Sequence, residues 1–176
     1  MADGHGDPNT SADYADAVEA LYSLSYTAKF ASKQQLELDY VVAPLEGLWD
    51  SARMESFLDR SKDEWSWTMM IRQPTWLTPE LWDAARTKLA KKPLPALERV
   101  RLESFAEGTA VQVLHVGSYD DEAPTIARMH EWLRANGYRE TGRHHEIYLG
   151  DPRRSAPEKL KTILRQPVSA SAATAS

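Results

Sequence analysis

One order of hydrophobic periods occurs twice along this chain. Residues 12–72 carry a helical period followed by two runs of period two, and residues 109–168 carry a strand, a helix and two further strands. Helices have to bury a stripe and strands a face, so this order is met by layering helices on an antiparallel sheet rather than by a doubly wound parallel one. The expected fold class is α+β: duplicated strand-helix-strand-strand modules, an antiparallel sheet with helices on one face, and a ligand cleft between the modules. Residues 1–5 are too few to supply a full first strand for the first module.

The individual elements follow from local signals. Thr10 or Ser11 caps a helix over about 12–32 whose stripe is Ala17, Leu21, Leu24 and Ala28, with Tyr22, Tyr26 and Phe30 as a second, aromatic stripe. "LELDYVV", 36–42, alternates as a strand and "APLEGLW" leaves it as a loop through Pro44 and Gly47. In "WSWTMMIR", 65–72, Trp65, Trp67, Met69 and Ile71 share one face of a strand. Thr78 caps a helix that opens on Pro79, turns Leu81, Trp82, Ala85 and Leu89 inward and ends near Lys92. Two strands, about 98–106 and 109–117, flank a tight turn at Glu107-Gly108. A helix from the acidic "SYDDE" to Gly137 carries Ile126, Met129 and Leu133 as its stripe, and "HHEIYLG" is the next strand. "SAPEKLK" gives a single helical turn. The last strand, 162–168, needs Pro167 at an edge or at its end, and 169–176 is too small and polar to order.

At 176 residues the chain suits a single domain over 1–168, with a first module over about 1–75 and a second over about 98–168. No cysteine is present, which excludes thiolate nucleophiles, disulfides and cysteine-ligated metal. The chain lacks a Walker loop, a dinucleotide glycine fingerprint, G-x-S-x-G and H-E-x-x-H, so no cofactor and no metal site is expected. His144 and His145 point to opposite faces of one strand and cannot chelate one ion together. A net charge of −5 without a basic stripe speaks against nucleic acid, and the sequence shows neither a membrane span nor a secretory leader. Cytoplasmic location is the expectation. Six tryptophans and seven tyrosines against three phenylalanines suit an aromatic-lined pocket or simply a core of large rings.

The candidate site lies in the strand 144–149, where His144, Glu146 and Tyr148 share one face and His145, Ile147 and Leu149 the other. If the helices cover the apolar face, Glu146 faces away from them. It is then either a solvated carboxylate or, ringed by indoles, a desolvated one able to act as a base or as counter-charge to a cation.

Five segments carry a resemblance: "DGHGDPNT", "AVEALYSLSYTAKF", "DYVVAPLEGLW", "WSWTMMIRQP" and "HHEIYLGDPRRSAPEKLKTILRQPV". Together, over residues 3–168, they resemble the stand-alone GyrI-like small-molecule-binding proteins. The resemblance implies the duplicated fold with its cleft, and a central carboxylate at the position of Glu146. It further implies a bulky aromatic ligand, often cationic in regulators of the superfamily, and in some stand-alone members hydrolysis of cyclopropane-bearing DNA-alkylating compounds. On that basis Glu146 positions and deprotonates water, while Tyr148 or Tyr119 donates to the developing oxyanion. Trp49, Trp65, Trp67, Met69 and Trp132 are candidates to line the ligand, Trp132 being alternatively helix core, and His115 reaches the site or is a satisfied core histidine. The expected partner is a small aromatic molecule, with the protein a monomer or homodimer. Two departures stand out: the segment that usually precedes "DGKGDPN" is nearly absent, and Asp50 stands where a second aromatic commonly follows Trp49.

Overall fold

The structure, a computed structural model, describes residues 1–51 and 61–171. It is mixed α and β, with three helices and seven strands among these residues, and all strand pairs detailed below are antiparallel. Two compact units are present, Met1–Ser104 and Phe105–Ser176.

The first unit contains β1 (Ala2–His5), α1 (Ala12–Gln35), β2 (Leu45–Ser51), β3 (Trp65–Ile71) and α2 (Pro79–Leu89). Four residues do make a first strand: Ala2 to His5 pair with Met69 to Ser66, so this module has a strand-helix-strand-strand order, which the second repeats with one additional short strand after its helix. Ser11 caps α1 by accepting a hydrogen bond from the Tyr14 amide, and Ala17, Leu21, Leu24 and Ala28 are all buried, the stripe that the spacing predicts. The aromatic stripe is not part of that core, since Tyr26 and Phe30 stay about half exposed.

Between α1 and β3 the sequence misleads. Residues 37–44 form no strand, and the strand is "LEGLWDS", where a loop was expected. The alternation of 36–42 finds no strand to pair with among the described residues. Glu37 turns the chain at φ 59°, Ser32 Oγ donates to the Leu38 carbonyl at 2.8 Å, and Lys33 and Lys29 hold Asp39. Val41 is left almost fully exposed. β2 instead gains a complete antiparallel ladder with β3, setting Trp49 opposite Trp67.

Helix α2 buries Leu81, Trp82, Ala85 and Leu89, as its spacing predicts. Thr78 Oγ1 accepts from the Leu81 amide at 3.3 Å. Thr78→Ala is therefore expected to cost about 1 kcal/mol of stability, read by urea denaturation, because it strips the acceptor from one of the amides a helix start leaves unpaired.

The second unit contains β4 (Ala110–Val116), α3 (Ala123–Ala135), β5 (Tyr138–Glu140), β6 (His144–Tyr148) and β7 (Lys161–Ala170). The hairpin expected around Glu107-Gly108 is absent: Leu97–Arg99 is a 3-10 turn, and 100–109 is irregular. Val100 alone of that run is deeply buried while Leu102 and Phe105 stay exposed, so the run offers a sheet no buried face. Glu107 is held instead by His145 Nδ1 at 2.9 Å and Arg165 Nη1 at 3.1 Å. β7 is the spine of this unit, pairing β4 on one side and β6 on the other, then β5.

Pro167 sits inside β7, neither at an outer strand nor at its end. Its position is a change of partner: the ladder with β6 ends at Arg165, that with β4 ends at Pro167, and that with β5 begins at Val168. A residue without an amide proton is tolerated where ladders hand over. Ser169 and Ala170, expected to be disordered, pair with Arg139 and Tyr138, while residues 172–176 of the expected tail lie outside the described residues.

Candidate functional site

The register of the second unit decides which way Glu146 faces. Directly opposed residues of an antiparallel pair share a face, so Glu146 and Tyr148 lie on one surface with Leu164 and Thr162 of β7, and through them with Val113 and His115 of β4. That is the surface on which α3 packs: His115 Nδ1 and Thr125 Oγ1 are 3.1 Å apart, and Leu164 and Thr162 are fully buried. Glu146 thus lies on the helix-covered face, contrary to expectation. The apolar pair Ile147 and Leu149 had pointed the other way, but β4 and β7 outvote β6. On the opposite surface Leu114, Val116 and Leu149 are about half exposed.

Glu146 keeps 15% of its side chain exposed. Tyr148 donates its hydroxyl to Glu146 Oε2 at 2.8 Å. His144 Nε2 lies 3.4 Å from Oε1, close enough for charge interaction, but this buried nitrogen has no hydrogen-bond partner among the described residues. Tyr119, in the turn Tyr119–Asp121 before α3, meets Tyr148 edge to face at 5.5 Å and remains partly exposed. The three residues expected to carry chemistry, Glu146, Tyr148 and Tyr119, are therefore brought together.

A fourth member escaped the sequence reading. Glu122, the residue immediately before α3, is 5% exposed, makes no capping bond with its side chain, and has its Oε1 buried without a hydrogen-bond partner among the described residues. Burial pushes its carboxyl up to about 8, and the charge of Glu146 adds to the rise. Thr162 opposes it in part; its buried Oγ1 faces Glu122 but falls short of strict hydrogen-bond geometry. At neutral pH Glu122 thus holds a proton that desolvation and the neighbouring charge of Glu146 keep in place. The signal was in the spacing: 122, 126, 129 and 133 continue the inward stripe of α3 by one turn, but an acid at a helix start is read first as a cap.

The remaining candidates are placed elsewhere. His115 is a satisfied core histidine, its second nitrogen 3.1 Å from the Ser118 carbonyl. Trp132 is neither helix core nor near Glu122. It stacks on Tyr138 at 6.2 Å, stays half exposed, and lines a groove of about 400 Å³ with Val111, Val113 and Met129. In the first unit Trp67 and Met69 are sealed in the core, so they can shape a pocket only by supporting it. Trp67 meets Tyr14 of α1 edge to face at 5.2 Å. Trp49 is also buried, beside Tyr14 and Trp65, whereas Trp65 is partly open with the Lys62 ammonium 5.8 Å from its ring centre. No helix among the described residues is long and apolar enough to cross a membrane.

An uncharacterized conserved protein from Listeria innocua is 44% identical with a TM-score of 0.87, the alignment covering 96% of this chain and 85% of that one. Two hydrolases from Listeria innocua, one of them encoded by lin2189, are each 42% identical with TM-scores of 0.81 and 0.84 and the same coverage. We found no relative among curated proteins. Residues 3–169 match the GyrI-like small molecule binding domain, and the chain belongs to that family.

Proposed function

We propose that the chain binds a planar aromatic small molecule at Glu146 and hydrates it, opening the cyclopropane of an alkylating compound and so detoxifying it. The observation that carries this reading is the Tyr148 hydroxyl held on a largely buried Glu146 carboxylate, with Tyr119 against the same ring. The two relatives described as hydrolases, 42% identical, support it. A strained ring conjugated to a dienone needs little more than an oriented water and a donor for the oxygen that gains charge. Glu146 takes a proton from water as the water oxygen bonds to the ring carbon. The ring C–C bond breaks, and its electron pair ends on the dienone oxygen, which Tyr119 or Tyr148 protonates. The tyrosine recovers a proton from Glu146, so the sum is substrate plus water.

Incubation with a cyclopropane-bearing alkylator should give a product heavier by one water, detected by mass spectrometry. Glu146→Gln should lower turnover at least about a hundredfold, the scale of a lost general base, while tryptophan quenching still reports binding. Quenching without any hydrated product from the wild type refutes the hydrolytic step. A non-catalytic binder or sensor of cationic aromatic ligands is the second reading, and the placing of Glu122 near Glu146 favours it, because two largely buried acidic side chains suit a positive ligand. It requires cationic dyes to bind, and to lose that binding in Glu146→Gln.

A further inference from the structure

We infer that Glu122, buried near Glu146 with a carboxyl oxygen that has no hydrogen-bond partner among the described residues, carries a proton that a cationic group of the ligand displaces, so that binding an organic cation expels a proton from the site. This rests on the reading that ligands meet Glu146. Neither carboxyl is a surface group: Glu122 is 95% buried by its 5% exposure, and Glu146 keeps 15% of its side chain open. The polar surroundings are incomplete in one direction. Glu122 Oε1 and Thr162 Oγ1, both buried and facing one another, have no strict hydrogen-bond partners among the described residues, which leaves acceptor capacity at the site.

The groups around Glu122 are few. β6 presents Glu146, Tyr148 and His144, while β7 presents Thr162, which does not ionise. β4 presents His115, whose nitrogens are engaged by Thr125 and the Ser118 carbonyl. The turn before α3 adds Tyr119, Asp120 and Asp121, and α3 adds Arg128, which bonds Thr125. The charges that act on Glu122 are those of Glu146 and, more weakly, Asp120, both negative. Burial and like charge are what hold the proton on Glu122, as its elevated carboxyl records. A positive charge brought to Glu146 removes the second of these and reverses its sign. Tyr119 and Tyr148 offer the ring faces and edges against which an aromatic cation can lie. The balance is simple: protonated Glu122 plus a ligand cation gives ionised Glu122 with the cation bound, plus one proton delivered to buffer.

The test uses two nearly identical flat molecules, 1-methylquinolinium, which carries a fixed positive charge, and neutral 1-methylnaphthalene. Titration calorimetry of the whole chain at pH 7, in phosphate and in Tris, gives the number of protons exchanged. Close to one proton should leave per 1-methylquinolinium bound and none per 1-methylnaphthalene. The cation's affinity should also rise by up to roughly tenfold per pH unit between about pH 6 and pH 8. Glu122→Gln should still bind the cation, with proton release near zero and a flat pH profile. Infrared difference spectra of the wild type supply a readout that needs no variant: the protonated-carboxyl band should vanish on binding the cation. Cation binding without proton release, or release that persists in Glu122→Gln, overturns the inference and leaves the site intact. Failure of both compounds to bind overturns the site itself.

Discussion

Unfolding free energy should fall as pH rises from about 5 to about 8 in the wild type, and fall much less in Glu122→Gln. The sign follows from where the proton sits. In the folded chain the Glu122 carboxyl is raised from 4.5 to about 8, chiefly by burial, whereas in the unfolded chain it ionises near its ordinary value. Between those two values the folded state binds a proton that the unfolded state has lost, so stability is fully present below the lower value and is lost as pH climbs toward the upper one. The steepest slope one such group can give is about 1.4 kcal/mol per pH unit. His130 works in the opposite sense. Burial lowers its pKa in the folded state, so the unfolded chain takes up the extra proton at acid pH and stability gains as pH rises through the ordinary histidine range. Comparing wild type with Glu122→Gln at each pH cancels His130 and isolates the carboxyl, because glutamine keeps the shape and cannot ionise. Urea denaturation of both chains at pH 5, 6, 7 and 8 reads the difference. Parallel profiles would show that Glu122 holds no extra proton in the folded state.

Elements whose burial depends on their own spacing were legible in the sequence. The stripes of α1 and α2 are buried as their periods require, α3 buries Met129 and Leu133 but Thr125 rather than Ile126, and β3, β4, β6 and β7 stand within a residue or two of the runs that alternate. What failed depended on a partner. "LELDYVV" alternates as well as β2 does, yet it is β2 that lies where β3 can pair with it, and the former is folded back on α1 by Ser32 and two lysines. The run 98–106 failed for the same reason, and Ala2–His5 succeeded for it: four residues suffice as a strand once β3 offers an edge. Glu146 could be singled out from its neighbours, but its direction could not, because that is set by Thr162 and Leu164 across the ladder. Glu122 was the least legible member. Its partner is 24 positions away, and only packing converts one of three consecutive acids into a buried one.

Gly4→Ala is expected to destabilise the first unit by about 3 kcal/mol, at the upper end of what one added methyl does in a packed core. Gly4 lies directly opposite Trp67 across the β1–β3 ladder, and a Cβ on Gly4 would overlap Cη2 and Cζ2 of the Trp67 ring. The ring has little room to retreat. It is 1% exposed and set against Tyr14, and its Nε1 has no hydrogen-bond partner among the described residues, so close packing alone holds it. Trp67→Ala should cost about 3–5 kcal/mol through the cavity left in the core. The two changes should not add. Once the indole is gone, the methyl of Gly4→Ala occupies part of the space it filled, so that substitution should cost under about 1 kcal/mol in the Trp67→Ala background, a coupling of about 2 kcal/mol. A double-mutant cycle by urea denaturation measures it. Additive costs would mean that β1 shifts away to admit the methyl and that the small residue at position 4 is not there to accommodate the indole.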